Sequence, residues 1–298
     1  MNLTATRRVL ITGGTGNLGR RVVTTLDSNR AVVPRILSRR ERPSREPSHH
    51  EWAKADLTCS ELGAVVRGVD VVLHLASEKR QGDADVFATE RLLRAARAAN
   101  VPHIVVISIV GCDRIPLPFY MSKRAIEMAV RASGVPWTVI RVTQFHSFVE
   151  RLVSAAVTLP IPTPIFADLR FQPVDEEEVA EHLVEIALGP PGGDSPDLGG
   201  PEVLTLAEIA ATWLTVRHRP ATLLPVTVDA VKIEPQGVPQ VEPWVMGVLE
   251  GYRDGLNLLR GTATRTRVTF ADWLRRGDAE QAVHRADEQA ARGGALAP

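Results

Sequence analysis

The sequence predicts an α/β fold in which a doubly wound parallel sheet is joined to a smaller C-terminal region. Two observations lead to this fold class. Short apolar runs without polar alternation recur along the first half of the chain, as in strands that are buried on both faces. Segments with apolar residues at helical spacing separate these runs, so strands and helices alternate.

The first half of the chain contains the alternating elements in order. Strands are expected at residues 8–12, 31–38, 69–75, 103–109 and 135–142. Helices are expected at residues 17–27, 83–100 and 119–133. The last of these stops at Gly134, a residue typical of helix ends. Residues 39–50 hold prolines, serines and arginines without periodicity and predict a loop.

The regularity weakens after Val142, where we divide the chain into residues 1–142 and 143–298. Three prolines within residues 159–164 exclude a helix or a central strand, so an extended loop is expected there. A helix over residues 175–188 is expected to interleave with the N-terminal part.

The remaining C-terminal elements are predicted from capping residues and apolar spacing. Asp175 and Glu178 are spaced as in a capping box at the start of the helix 175–188. A further helix near 205–215, a strand near 223–228 and two more helical stretches follow, and the last twenty residues are expected to fray.

Composition and charge exclude several classes of function. The 298 residues fit one large or two modest domains at about 150 residues per domain. The chain has 35 Lys and Arg against 35 Asp and Glu, which argues against a partner that is a nucleic acid or an anionic membrane. No apolar run approaches the ~18 residues of a membrane span. Cys59 and Cys112 cannot form a disulfide scaffold or a four-ligand zinc site. We expect a cytoplasmic monomer or homodimer.

A glycine cluster between the first strand and the first helix predicts a dinucleotide site. Gly14-x-Gly16-x-x-Gly19 matches the dinucleotide fingerprint, and a second spacing, counted from Gly13, matches that of short-chain dehydrogenases. A plain glycine-rich turn is the alternative, but the flanking strand and helix favour binding of a pyrophosphate at the helix N-terminus. The residues predicted to contact the cofactor here are Gly13, Thr15, Gly16, Asn17, Leu18 and Gly19.

The end of the second strand favours NADP(H) over NAD(H). About twenty residues past the glycines an NAD binder places an acid, but Ser38, Arg39 and Arg40 stand here. Guanidinium groups can fork around a 2′-phosphate, although a solvated basic loop is the alternative.

Two further segments complete the predicted cofactor site. Asp56 and Leu57 fit a contact to the adenine, with a surface turn as the equal alternative. Leu75, Ala76 and Ser77 end a strand at the carboxyl edge of the sheet, where ligands bind in such folds.

With these residues, the chain resembles the atypical short-chain dehydrogenase/reductase proteins, specifically the NmrA-like NAD(P)-binding group with its Rossmann fold. The likeness extends from Val9 to about Leu206 and is weaker beyond. Similar proteins include quinone or enone reductases and regulators that bind the cofactor without turnover. The pieces that carry the resemblance are Thr12 to Gly19, Ser38-Arg39, Ile107 to Gly111, Lys123 and its helix, Arg141 to Phe148, and Val174-Asp175.

The resemblance implies a reaction centre made of a Tyr-x-x-x-Lys pair and a serine. Lys123 matches the lysine, which in similar proteins binds the nicotinamide ribose and lowers the pKa of the tyrosine. Phe119, however, stands four residues before it, where the tyrosine should be. Tyr120 is the adjacent substitute, with a half-buried aromatic as the favoured alternative. Ser108 matches the first position of the serine pair, while Ile109 occupies the second. The proton donor of the family is therefore expected to be missing.

Several histidines outside this pair are candidates for a functional role. Gln144, Phe145 and His146 follow a strand where similar proteins turn into the substrate pocket, so they are predicted to contact the substrate. His146 is the candidate for a replacement acid or a hydrogen bond to the substrate, with a packed histidine as the equal alternative. His74, in a buried strand, is predicted to be a satisfied core residue. His49-His50 is excluded as a metal pair because no partnering cluster is visible in the sequence.

A run of acids is assigned to helix structure rather than to a site. Glu176, Glu177 and Glu178 are interpreted as the first turn of a helix, where acids complement the dipole. No metal site is predicted in the chain.

Three functions remain open on these residues. The first is an NADP(H)-dependent reductase of a hydrophobic conjugated carbonyl or quinone-type compound. The second is a non-catalytic NADP(H)-binding sensor or regulator, which Phe119 supports. The third is a non-redox enzyme, such as an isomerase or cyclase, that retains the cofactor. The fold alone does not choose among them.

Overall fold

The computed structural model describes residues 6–77, 82–157, 163–232 and 242–277, and strands and helices alternate along its first half. The strands of this half are β1 Arg7–Thr12, β2 Val32–Ser38, β3 Glu51–Lys54, β4 Val71–His74, β5 Ile104–Ile109 and β6 Trp137–Val142. The helices are α1 Asn17–Asp27, α2 Gly63–Val66, α3 Gly82–Ala98 and α4 Pro118–Ala132.

The second half contains longer helices and short strands. Its helices are α5 His146–Val157, α6 Glu176–Leu188, α7 Leu206–Val216, α8 Val228–Lys232 and α9 Pro243–Arg253. Its strands are β7 Thr163–Phe166, β8 Arg170–Phe171, β9 Gly193–Asp194, β10 Asp197–Gly199, β11 Leu204–Thr205, β12 Leu223–Val226 and β13 Ala263–Arg265. A helical segment, 270–277, follows. Within the described residues, no helix combines the length and apolar character needed to cross a membrane. The fraying expected of the last twenty residues lies outside the described part of the chain.

The main sheet is parallel throughout and confirms the predicted doubly wound fold. Its strand order is β13-β10-β6-β5-β4-β1-β2-β3, and β9 pairs beside β6. The chain starts at β1, moves outward to β3, and then returns to β4 on the other side of β1. The carboxyl ends of β1 and β4 therefore border the crevice in which ligands of such sheets bind.

Both faces of the sheet are covered by apolar helices. Successive β1 residues point to opposite faces, as the strand period requires. Val9 and Ile11 pack with α1 and α6, while Leu10 packs with α3 and α4. Leu92 and Leu183, one from each helical layer, are fully buried. Each such side chain contributes about 1.5–3 kcal/mol of hydrophobic free energy to folding.

The C-terminal half contributes to the main sheet and also supplies most of a further apolar cluster, the C-terminal cluster, which contains Phe171, Tyr252 and Phe270 together with Ile115 and Tyr120. β10 pairs with β6 through Leu198 and Val142, and β13 extends the sheet beyond β10. Helix α6 packs on α1 inside the main core. The division of the chain at Val142 stays a prediction, because the sheet itself continues across that boundary.

Several elements differ from the prediction, each for a physical reason. No bounds were predicted for the strand β3 before Asp56, because it is four residues long and its residues are half-buried or exposed at the sheet edge. Helix α5 was also not predicted as an element. Part of the segment 159–164 lies outside the described residues, but residues 163–166 form β7. Among the strands that the structure describes, β7 pairs with β12 alone, so it tolerates Pro164.

The capping box predicted at α6 is wrong. Asp175 does cap the helix, because its carboxylate accepts a hydrogen bond from the Glu177 N–H at 3.2 Å. The Glu178 carboxylate does not reach back; it accepts instead from the backbone N–H groups of Arg267 and Val268. These hydrogen bonds connect the first turn of α6 to Arg267 and Val268, just before the helical segment 270–277.

Candidate functional site

The glycine loop lies at the carboxyl end of β1, and two of its glycines cannot be replaced without strain. Gly13 has a φ of +71°, and a Cβ there would lie 2.9 Å from the backbone nitrogen of Ala76. A Cβ on Gly19 would lie 2.1 Å from the carbonyl oxygen of Gly13. The turn is closed by a hydrogen bond from the Gly16 N–H to that same oxygen at 2.9 Å. Helix α1 therefore packs directly on the loop.

The first turn of α1 fits an anionic group. Its N-cap residue is Gly16, which has no side chain to occupy the free N–H groups of the turn. Those N–H groups and the positive end of the helix dipole are the features that bind a pyrophosphate. Asn17 is held there by its side-chain nitrogen, which donates to Glu176 Oε1 at 3.0 Å. The geometry of the loop thus fits the dinucleotide predicted from the sequence.

Hydrogen bonds join the neighbouring end of β4 to the end of β1. The Thr12 hydroxyl accepts from the backbone N–H groups of Leu75 and Ala76, each at 3.1 Å. His74 bonds the Thr12 and Thr89 hydroxyls through its two ring nitrogens, at 2.7 and 2.9 Å. Burial lowers the pKa of His74 to about 3, so the ring is neutral. The prediction of a satisfied core histidine is confirmed.

The predicted 2′-phosphate residues follow the end of β2. The Ser38 hydroxyl is buried and accepts from the Arg40 N–H at 3.1 Å, which fixes the turn out of the strand. Arg39 and Arg40 are exposed beyond it. The positive charge of Arg39 acts on Asp56, so the two side chains share this corner of the sheet.

The adenine contact proposed for Asp56 and Leu57 has a competing structural role. The Asp56 carboxylate accepts from the N–H and the hydroxyl of Thr58, at 2.8 and 2.6 Å. These bonds are the main reason that the pKa of Asp56 lies below its usual range. Leu57 is buried in the core. The geometry favours the surface turn, the alternative that the sequence left open.

Lys123 is buried at the carboxyl edge of the sheet, which Ser77, after the end of β4, also borders. Its Nζ lies 5.5 Å from the centre of the Phe119 ring. The negative charge of Asp85 acts on the ammonium, and the Asp85 carboxylate accepts from the Ser77 hydroxyl at 2.9 Å. Burial lowers the pKa of Lys123, and Asp85 opposes that shift. Phe119 thus places an aromatic ring without a hydroxyl next to the lysine.

Tyr120 points into the protein and bonds a residue that sequence reasoning did not find. The chain has two tyrosines, and the hydroxyls of Tyr120 and Tyr252 lie 2.8 Å apart. Both side chains are buried, and burial raises the pKa of each. Gln144 lies 3.4 Å from the Tyr120 hydroxyl and accepts from Asn257. This favours the packed aromatic over the substitute acid.

Ser108 is turned toward a buried ion pair. Its hydroxyl lies 3.7 Å from the sulfur of Cys112, which lies 3.3 Å from Glu127 Oε1. Arg141 donates two hydrogen bonds of 2.8 Å to the two oxygens of Glu127. Ser108 itself is 2% exposed. The predicted catalytic serine therefore already has partners within the protein.

His146 is packed rather than presented to a substrate. It is fully buried against Phe270 and Trp273, and its Nε2 lies 3.2 Å from the carbonyl oxygen of Val268. Burial lowers its pKa to about 4, so near neutral pH the ring is uncharged and its remaining N–H, directed at the Val268 carbonyl, is a very weak acid. We therefore correct the replacement-acid interpretation. Phe145, beside it, packs against the main apolar core.

Tyr252 and Asn257 are the site residues that the sequence analysis missed. They lie in the C-terminal part, where the predicted elements carried no motif. The count of tyrosines was the available signal: a buried tyrosine hydroxyl needs a partner, and the chain offers one other phenol.

The comparisons with known proteins agree with this geometry. A protein-family model described as NAD(P)H-binding matches residues 13–187, more than half of the chain. The chain belongs to this NAD(P)H-binding family. The match begins in the glycine loop at Gly13 and ends in α6, so it covers the elements that border the crevice.

Two curated relatives of this chain are reductases. It is 30% identical over 229 residues to a (4-alkanoyl-5-oxo-2,5-dihydrofuran-3-yl)methyl phosphate reductase of Streptomyces griseus, covering 75% of this chain and 79% of that protein. It is 27% identical over 270 residues to an NAD(P)H azoreductase of Xenophilus azovorans, covering 86% and 87%. The predicted family and nicotinamide cofactor are confirmed, and the predicted reductase class agrees with these names.

Solved structures share the fold at low sequence identity. A nucleoside-diphosphate-sugar epimerase of Staphylococcus aureus superposes with a TM-score of 0.69 at 16% identity, covering 90% of this chain and 99% of that one. An NADPH-dependent quinone oxidoreductase of Escherichia coli, complexed with NADPH, superposes with a TM-score of 0.66 at 21% identity, covering 89% and 98%. These likenesses establish the Rossmann-type architecture.

Proposed function

We propose that this protein is an NADP(H)-dependent reductase of a hydrophobic conjugated carbonyl or quinone-type molecule. The observation that carries the proposal is the buried Lys123 with its Nζ 5.5 Å from the ring of Phe119, a residue without a proton to give. Lys123 retains the role of holding the nicotinamide ribose and fixing the orientation of the ring. When bound, the cofactor supplies a hydride.

The missing acid restricts the class of acceptor. A simple ketone that accepts a hydride becomes a localised alkoxide and needs a proton donor in the transition state. A quinone or enone spreads the negative charge over a conjugated system, so water can supply the proton later. Tyr120 and His146 are both buried with partners inside the protein and do not replace the donor.

The side chains around Phe119 that would wall an acceptor site are apolar. Phe119, Phe148 and Leu117 are half-buried and pack against the C-terminal cluster that contains Phe171 and Tyr252. Such walls suit a hydrophobic molecule. The relatives named above are a reductase of an alkanoyl-oxo-dihydrofuran and an azoreductase, and a structural neighbour is a quinone oxidoreductase. Each name describes an unsaturated acceptor, which supports the proposed class.

A non-catalytic NADP(H) sensor is the second candidate, and the same residues favour it. Phe119 removes the proton donor, and the Ser108 hydroxyl is directed toward Cys112 rather than toward an acceptor. A sensor would keep the glycine loop and the arginines after β2 while giving up turnover. The two candidates differ in whether an acceptor is reduced at all.

Restoring the hydroxyl tests the proposed mechanism. We expect Phe119→Tyr to raise kcat/KM for saturated ketones by at least about tenfold, because general acids typically contribute 10²–10⁴-fold. Activity toward quinones should change much less. Phe87→Tyr, at an exposed position on α3, is the matched control. Steady-state oxidation of NADPH measures both variants, and an equal gain on quinones and ketones would oppose the missing-acid account.

Removing one guanidinium tests the choice of cofactor. Arg39→Ala should weaken NADPH binding by about 1.5–3 kcal/mol, the cost of a lost hydrogen bond to a charged group, and leave NADH nearly unchanged. Fluorescence titration with each cofactor measures the difference. Arg45→Ala, an exposed arginine of the same loop, is the control. Equal weakening of both cofactors would remove the 2′-phosphate from this position.

A further inference from the structure

A second cluster of potential ligands lies at the far end of α1, away from the glycine loop. Asp27 is the last residue of α1, and His49 and His50 come directly before β3. Asp27 Oδ1 lies 2.6 Å from His50 Nε2 and 3.1 Å from His49 Nε2. One ligand atom of each residue lies within 4.8 Å of the others. The sequence alone shows no partner for His49-His50, whereas the fold brings Asp27 beside the pair.

The second nitrogen of His50 has a partner of its own. Its Nδ1 lies 2.7 Å from Glu46 Oε1, and the His50 side chain is 2% exposed. A histidine that donates one N–H to a carboxylate keeps its other nitrogen as a lone-pair donor in a fixed direction. This arrangement of carboxylate, histidine and ligand position is common around protein-bound metals. In His50 the other nitrogen, Nε2, faces Asp27 and His49, and a metal ion there would take the place of the present hydrogen bond to Asp27.

The charges at this end of α1 call for a cation. Asp27 places a carboxylate at the negative end of a helix dipole, where an anion is destabilising. Glu46 brings a second carboxylate to the other side of the same imidazole. A divalent cation bound at His50 Nε2, in place of the hydrogen bond to Asp27, would offset the Asp27 charge and leave the Nδ1–H to donate to Glu46.

The chain segment that carries the two histidines is a long and mostly exposed connection. Residues 39–50 connect the parallel strands β2 and β3 without a helix, although such crossovers usually contain one. Most of these residues are exposed, whereas His50 is buried. A metal at the end of the crossover would attach it to α1, since Asp27 belongs to the helix and the histidines belong to the crossover.

We propose that Asp27, His49 and His50 form a binding site for a divalent transition-metal ion of the Zn²⁺ class. One carboxylate oxygen and two imidazole nitrogens supply three ligands, and water completes the tetrahedral set that zinc prefers. Glu46 acts as the outer partner that orients His50. The site is structural: it fastens the crossover to α1 and is independent of the proposed reduction.

The test is calorimetric titration of the full-length protein with Zn²⁺, after removal of any affinity tag. We expect one Zn²⁺ per chain at near-neutral pH, and a thermal midpoint that rises with Zn²⁺. His49→Ala should abolish this binding or weaken it at least about tenfold. Glu46→Gln should weaken it roughly 10- to 100-fold, the usual effect of losing an outer partner.

Controls separate the site from general affinity of histidines for metal. His182→Ala changes a histidine that pairs with Glu185 on α6 and should leave Zn²⁺ binding unchanged. His49 is exposed, so His49→Ala should fold normally even if a variant of the buried His50 does not. Absence of Zn²⁺ binding by the unmodified protein, or binding that His49→Ala and Glu46→Gln leave intact, would overturn the proposal.

Discussion

Glu127→Ala should destabilise the protein by about 3–5 kcal/mol, because it leaves Arg141 partly buried without its main partner. The Glu127 side chain is fully buried, and Arg141 bonds both of its oxygens while Arg131 approaches one of them at 3.1 Å. Urea denaturation followed by circular dichroism measures the loss. Glu185→Ala, which removes a largely exposed carboxylate from another helix, is the matched control and should change stability little.

The same ion pair predicts how stability depends on pH. Burial alone would raise the pKa of Glu127, but the hydrogen bonds from Arg141 prevail and hold it at about 2, below the ordinary 4.5. A depressed pKa stabilises the fold fully above the unfolded value and progressively less as pH falls toward 2. Glu127→Ala should therefore flatten the acid limb between about pH 4.5 and 2. An unchanged limb would mean that Glu127 is not the group responsible.

Gly19→Ala should abolish tight binding of NADPH and NADH alike. Its new Cβ would lie 2.1 Å from the Gly13 carbonyl oxygen, so α1 and the loop must separate. Overpacking of this kind costs about 1–3 kcal/mol of stability and displaces the N–H groups that face the pyrophosphate. We expect both affinities to fall at least about tenfold.

Titration of the folded variant with each cofactor measures the effect of Gly19→Ala. Gly63→Ala is the control, because a Cβ at that position meets nothing within 4 Å. Wild-type affinity for either cofactor in Gly19→Ala would show that the loop does not carry the pyrophosphate. The expected pattern also differs from that of Arg39→Ala, which should affect NADPH alone.

Much of the fold could be predicted from the sequence because local patterns agreed with the final packing. The helix α1 has the bounds expected from its apolar spacing, since Leu18, Val22 and Leu26 all face the core. The strand β3 carried no such signal, because an edge strand of four half-buried or exposed residues has no continuous apolar run. Its pairing with β2 depends on the rest of the sheet.

The cofactor end of the site was also accessible from the sequence, whereas the substrate end was not. The glycine loop is local, so its spacing alone predicted the turn. Tyr252 reaches Tyr120 across 132 positions, and no sequence pattern specifies such a contact. The position and titratable side chain of His146 suggested a catalytic acid, but the histidine is packed against Phe270 and Trp273 and has no exposed surface.

The proposed metal site of Asp27, His49 and His50 also depends on contacts between residues that are distant in the sequence. The neighbours of His49-His50 along the chain do not indicate a third ligand, because Asp27 lies 22 and 23 positions away from the two histidines. The crossover between β2 and β3 brings them together. The oligomeric state and the cellular location remain predictions of the sequence.

The most direct test of the account is to mix the purified protein and NADPH with a quinone, a conjugated enone and a matched saturated ketone, and to follow NADPH absorbance. We predict that NADPH binds more tightly than NADH and is consumed faster with the quinone and the enone than with the saturated ketone. Tight binding with no oxidation by any acceptor would favour the sensor over the reductase. Absence of NADPH binding, or equal rates with all three acceptors, would contradict the account.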